Sequence, residues 1–177
     1  MTTIAIDSSH DPGFRLRAID GDDLENLRLW KNANKNSFFL RRDIEPAEQE
    51  KWFEGFSSRD DDHMFIVEQA VGGNWEPIGC MGFRLLEDEG CVDAYNIIRS
   101  RKLEPASFTM ADCFRTMLKY AASKYPAPPI RCKVLRENPA VAWYEKNGFS
   151  IVVSPPEYHL MELDKKTLDS VLIEVNE

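Results

Sequence analysis

Two stretches of this 177-residue chain gather side chains able to move a proton or hold an anion. In the first, residues 134–149, Asn138 stands directly before Pro139, and Tyr144 follows in a run that ends Gly148-Phe149. By residue type, Asn138 is either a helix cap or a free amide, and Tyr144 is either a core ring or an available hydroxyl. In the second, Arg99, Arg101 and Lys102 place three cations in four positions, followed by the hydroxyls of Ser107 and Thr109. Guanidinium and ammonium groups hold phosphate oxygens by charge and donor geometry. A solvated basic loop is the other reading of the same residues.

Both stretches depend on elements that must position them. Ile130 to Leu135 reads as a strand, and Asn138 as N-cap with Pro139 at the first helical position predicts a helix immediately after it. Ala140, Val141 and Tyr144 share one face of that helix. Gly148 falls where a left-handed residue closes it, so that Phe149 folds back onto Trp143 or Tyr144. The basic run lies between a strand, Cys91 to Arg99, and a long helix in which Met110, Cys113, Phe114, Met117, Leu118, Ala121 and Tyr125 recur at helical spacing. Thr109 with Asp112 forms an approximate capping box, and Pro126 stops the helix.

Upstream, Phe14 to Ile19 alternates as a strand with one wet face. Asp20, with Asp23 three residues on, caps a helix carrying Leu24, Leu27 and Trp30, which the Asn-rich piece 32–36 ends. A second helix is predicted over Pro46 to Phe56. Two strands, His63 to Gln69 and Pro77 to Leu86, are joined as a hairpin through Gly72-Gly73-Asn74. Gly79 and Gly82 inside the second of them predict close backbone approach or a bulge. Residues 150–154 and 158–163 read as a final strand pair. The ends read as a loose polar lead-in over 1–13 and, from Leu168, Val171, Leu172 and Val175 at i, i+3, i+4 and i+7, an amphipathic helix over 164–177.

Composition narrows the function. A chain of this length buries a sufficient core as one domain. The four cysteines have no paired CxxC spacing and no neighbouring histidine, so neither a metal nor a disulfide framework is expected. A net charge of −8 without a basic tract argues against nucleic acid and slightly favours a cationic acceptor. No basic leader and no membrane-length apolar stretch is present, which predicts a cytoplasmic protein without membrane contact, and the C-terminal apolar stripe, free to dock on its own domain or on a second subunit, leaves monomer and homodimer both open.

The run Asn138, Ala140 and Tyr144-Glu145-Lys146-Asn147-Gly148-Phe149 resembles the second signature of the GNAT superfamily, the acyl-CoA-dependent N-acetyltransferases. The resemblance covers about Phe14 to Leu163. It implies an α+β domain over 14–163 with a mixed, mainly antiparallel central sheet flanked by helices, and acetyl-CoA as co-substrate with an amine as acceptor. It further implies that Cys91–Arg99 and Ile130–Leu135 splay apart, and that the backbone at Ile97 and Ile98 and the side chain of Asn138 hold pantetheine. Tyr144 would then protonate the departing thiolate, and Asp93 stands where several members carry a catalytic carboxylate. Glu68 and His159 are further candidates for the base, and Phe38, Phe39, Arg41 and Arg42 would face the acceptor.

One segment departs from the family's pattern. There the turn before the long helix is basic and glycine-rich, because exposed amides at a helix N-terminus must approach the pyrophosphate. Residues 100–108 contain no glycine, Pro105 lacks an N–H, and Glu104 adds a negative charge. Arg99, Arg101, Lys102, Ser107 and Thr109 are the groups left to bind phosphates. The alternative that this departure raises is a catalytically silent domain of the same fold that binds a ligand or partner.

Overall fold

The computed structural model describes residues 3–177. Among them nine strands form one sheet, in the spatial order β7-β8-β6-β5-β4-β3-β2-β1-β9. The strands are β1 (Ala5–Ser8), β2 (Phe14–Ala18), β3 (Asp62–Val71), β4 (Asn74–Leu86), β5 (Cys91–Arg99), β6 (Ile130–Leu135), β7 (Phe149–Val153), β8 (Tyr158–Leu163) and β9 (Ile173–Asn176). The helices are α1 (Leu24–Ala33), α2 (Pro46–Ser57), α3 (Met110–Lys124) and α4 (Ala140–Lys146). The fold is α+β, and β5–β6 is the one parallel pair in an otherwise antiparallel sheet.

The sheet is covered on both faces, which explains why β3 is buried along most of its length and carries four apolar residues in succession, Met64 to Val67. Phe65 and Val67 enter a core with Phe14, Phe83 and the buried face of α3, formed by Cys113, Phe114, Met117 and Leu118. Their neighbours Met64 and Ile66 point the other way, into a smaller cluster with Leu27 of α1, Cys80 and Ile98, against which Trp30, Trp52 and Phe56 pack. Period-two alternation thus places successive residues of one strand in two different cores.

α4 is short and closed at both ends. The Asn138 side chain accepts from the Ala140 amide at 2.9 Å, and its carbonyl accepts from Val141 at 3.2 Å. The helix itself begins at Ala140, one residue later than the sequence suggests. Gly148 takes φ +90°, and a β-carbon there would stand 2.7 Å from the Thr167 methyl, so both the backbone and the neighbour require glycine. Phe149 then turns inward, 5.6 Å from the Tyr144 ring and 5.8 Å from Phe114.

Both chain ends differ from expectation. Of the segment read as a loose lead-in, Met1 and Thr2 lie outside the described residues, but Ala5–Ser8 forms β1 with Ile6 fully buried. The C-terminal segment is not a helix: Lys165–Leu168 makes a single 3-10 turn, and Ile173–Asn176 runs antiparallel to β1, from Ala5 opposite Asn176 to Ser8 opposite Ile173. Only Leu168 of the supposed apolar stripe is buried, while Leu172 and Val175 remain 54% and 43% exposed. The helical spacing of those residues is coincidental, and backbone pairing with β1 decides the structure. All four cysteines are free and buried, on β4, β5, α3 and β6.

Candidate active site

β5 and β6 are paired only at Val92–Ile130 and Asp93–Arg131. Beyond Asp93 the strands part, because β6 continues alongside β8 while β5 follows β4. β5 also carries an irregularity: Cys80 stands opposite Ile98 and Gly82 opposite Tyr95, so two residues of β5, Asn96 and Ile97, face one of β4. Asn96 takes φ +52°, a conformation that asparagine tolerates better than most residues. Gly79 permits the close approach this requires, since a β-carbon there would lie 2.2 Å from the Ile98 carbonyl oxygen. The irregularity foretold by the glycines of β4 thus occurs on both sides: one bulge lies across the ladder in β5, and another lies in β4 itself, where Ile78 beside Gly79 is the extra residue against Val67 and Glu68 of β3.

The wedge between the parted strands opens into a cavity of about 700 Å³. Ala94 to Arg99 of β5 form one wall, and Lys133 and Val134 of β6 with Asn138, Ala140 and Tyr144 form the other. Phe38, Phe39 and Leu40 of the α1–α2 connection, with Trp52 and Tyr158, close the side away from α3. A second cavity of about 260 Å³ lies between α1, α2 and the sheet and shares Lys31, Leu40, Trp52, Asn96 and Ile98 with the first.

Tyr144 and Asp93 both line the larger cavity. Burial holds the Tyr144 hydroxyl well above the usual phenol range, with Cys132 and Asp93 adding to the shift and, among the described residues, no hydrogen bond opposing it. The phenol therefore stays protonated across the neutral range. Burial also raises the Asp93 pKa, against the opposing pull of Arg84, whose Nη2 lies 3.0 Å from the carboxylate. The Arg84 guanidinium in turn lies 4.7 Å from the Tyr95 ring centre, and the Tyr95 hydroxyl donates to Asp62. Asn138 faces the cavity, and its side-chain amide donates to the Ser37 carbonyl in the α1–α2 connection at 3.4 Å. Cap and cavity wall are thus one residue.

The remaining candidates divide. Ile97, Ile98 and Arg99 are in the wall. Arg101 and Lys102 are not: Arg101 is held by Glu76 at 2.9 Å and by the Pro77 carbonyl, and Lys102 by Glu104. Ser107 donates to Asp11, and Thr109 exchanges hydrogen bonds with Asp112 across the first turn of α3. The helix start thus already contains a carboxylate of its own. Glu68 pairs with Arg15 and Arg17, and His159 with Ser154, and neither lines the cavity. Arg41 and Arg42 are paired with Glu137 and Glu48.

Several wall residues escaped the sequence reading, among them Lys31, Trp52, Arg84 and Asn96. Lys31 had a signal: it lies one turn beyond Leu27, on the face of α1 that packs against the sheet. A lysine on an apolar face calls for a reason. Among the described residues there is no cluster of acidic, histidine or cysteine side chains fit for a metal, and no helix long and apolar enough to cross a membrane.

Residues 14–150 match the family model described as an acetyltransferase (GNAT) domain. Similar solved structures include apo FdhC, a nucleotide-linked sugar GNAT, with TM-score 0.72 at 15% identity, covering 88% of this chain and 89% of that one. Spermidine N-acetyltransferase from Vibrio cholerae in complex with CoA and spermine gives TM-score 0.64 at 21% identity, covering 90% and 100%. A probable GNAT-family acetyltransferase from Chromobacterium violaceum gives 0.64 at 15%, covering 90% and 87%. At these identities the likeness is one of fold. No curated protein matches the sequence.

Proposed function

The chain belongs to the GNAT acetyltransferase family, and from that premise we propose that it is an N-acetyltransferase that transfers an acetyl group from acetyl-CoA to an amine within a ternary complex. The observation that carries this reading is the wedge between β5 and β6, with the Tyr144 hydroxyl, free of protein partners, in its wall. The parted strands leave the backbone of Ala94 to Arg99 without a β6 partner, as a strand edge along the cavity wall. An extended, amide-containing arm fits that edge, with Ile97 and Ile98 pairing to it and Asn138 facing it.

When bound, acetyl-CoA supplies the acetyl group in activated thioester form. The residues of this chain do the rest. The walls orient the acceptor nitrogen toward the carbonyl carbon, which is worth more than any single acid or base. Asp93 takes the proton of the acceptor ammonium so that a free amine attacks. Tyr144 gives its proton to the sulfur as the carbon–sulfur bond breaks, and the products are the amide and the thiol. On the phosphate side Arg99 is the cation in the cavity wall, while Arg101 and Lys102 must leave their carboxylate partners to join it.

CoA at a hundred times its dissociation constant is expected to raise the unfolding free energy by about 2.7 kcal/mol, read as an upward shift of Tm. Absence of any shift and of any calorimetric heat at millimolar CoA would instead favour a silent domain of the same fold, a reading to which the self-capped start of α3 lends some support.

A further inference from the structure

The chain as a whole is acidic, at −8, but the cavity is not. Four cations, Lys31, Arg84, Arg99 and Lys133, line it against one carboxylate, Asp93. Arg84 is committed to Asp93 and Lys133 to Glu89, 2.9 Å away. Lys31 is different. Its ammonium donates to the Asn96 side-chain amide at the β5 bulge and lies 3.2 Å from the centre of the Phe38 ring, and among the described residues no carboxylate pairs with it. Burial, with Arg84 nearby, lowers its pKa to about 8, so at neutral pH it is a charged group short of both water and a counter-ion. Glu48, the one carboxylate in the wall of the smaller cavity, is 2.6 Å from Arg42.

Position separates Lys31 from the cofactor side. It stands where the two cavities meet, on the α1–α2 face, whereas Asn138, Ala140 and Tyr144 line only the larger one. A partly buried ammonium without a carboxylate partner repels a polyamine and attracts an anion. The slight preference for a cationic acceptor inferred from net charge is therefore reversed locally. We propose, on the premise of the acetyltransferase reading, that the acceptor is an amine that also carries an anionic group, a carboxylate or a phosphate, and that Lys31 receives that group. Phe38 and Trp52 beside it supply an apolar wall for the body of such a molecule.

The test sets glutamate, glucosamine phosphate and a uridine-diphosphate-linked amino sugar against glucosamine and spermidine, with saturating acetyl-CoA, scoring both acetylation and thermal shift. At least one anionic member is expected to exceed glucosamine and spermidine about 10-fold or more in kcat/KM, and the carboxylate and phosphate arms show which anion is meant. Lys31→Gln should raise KM for that acceptor about 10- to 100-fold with kcat little changed, as expected for one lost charged hydrogen bond, and Lys31→Arg should recover part of it. An unaltered CoA-induced shift in Lys31→Gln certifies the fold of the variant. Preference for spermidine or glucosamine in both turnover and thermal shift overturns the proposal while leaving the acetyltransferase reading intact. So does a Lys31→Gln loss equal for charged and uncharged acceptors. If CoA itself fails to bind and no amine is acetylated, the underlying reading falls and the proposal falls with it.

Discussion

Tyr144→Phe is expected to lower kcat by about 10²- to 10⁴-fold, or roughly 3 to 5 kcal/mol of barrier, with CoA affinity nearly unchanged. The separation of the two effects follows from how the ring is held. Phe114, Trp143 and Phe149 surround it with centroids 5.8, 5.2 and 5.6 Å away, contacts that phenylalanine keeps. The hydroxyl has no protein partner to lose, so the variant should fold with a stability within about 1 kcal/mol of the parent. Because burial raises the phenol pKa, wild-type activity should show no fall from Tyr144 ionisation at any pH up to the ordinary phenol range. Single-turnover rates measure the chemical step directly. An unchanged rate there would return Tyr144 to the status of a packing residue.

Asp93→Asn should cost about 10²- to 10³-fold in kcat/KM near neutral pH and regain much of it at alkaline pH, where the acceptor is already unprotonated. The raised pKa of Asp93 moves the acid limb of the wild-type rate profile upward from the usual carboxylate range, since the base works only when ionised. The stability effect has the opposite sign. With its folded pKa above the unfolded value, Asp93 favours the folded state at low pH, and that contribution is lost as pH rises through the folded pKa. Neutral asparagine therefore escapes the burial cost, and the Arg84 side chain it leaves behind is 42% exposed and can be hydrated. Loss of activity thus does not arise from unfolding. If the deficit were the same at every pH, Asp93 would be acting by orienting Arg84, not as the base.

Local signals made much of this molecule legible in its sequence, and distant pairings did not. Cys91–Arg99 and Ile130–Leu135 could be bounded to the residue because turn residues and prolines flank branched runs, and Thr109 with Asp112 marks the start of α3 by a hydrogen-bond reciprocity written in four residues. The signature around Asn138 and Tyr144 identified the wall of the cavity for the same reason. By contrast, β1 and β9 are short strands that pair with each other across almost the whole chain, and nothing near either one foretells the partner. The fate of Arg101 likewise depends on Glu76, which the β3–β4 hairpin brings within reach. The left-handed turn at Asn96 arises from the register between β4 and β5, a property of the ladder and not of the residue.

The buried thiols make the protein its own clock. Burial pushes the Cys80 pKa up to about 12 and those of Cys113 and Cys132 higher still, and it raises that of Cys91, so the thiolate, the reactive form, is disfavoured at all four. An alkylating reagent or peroxide must wait until the chain opens around each sulfur. Cys132 sits on β6, Cys80 and Cys91 on the neighbouring antiparallel hairpin, and Cys113 on the helix beneath. Their separate modification rates therefore report how often each layer of the sheet breathes, and whether a bound molecule in the wedge slows β5 and β6 together.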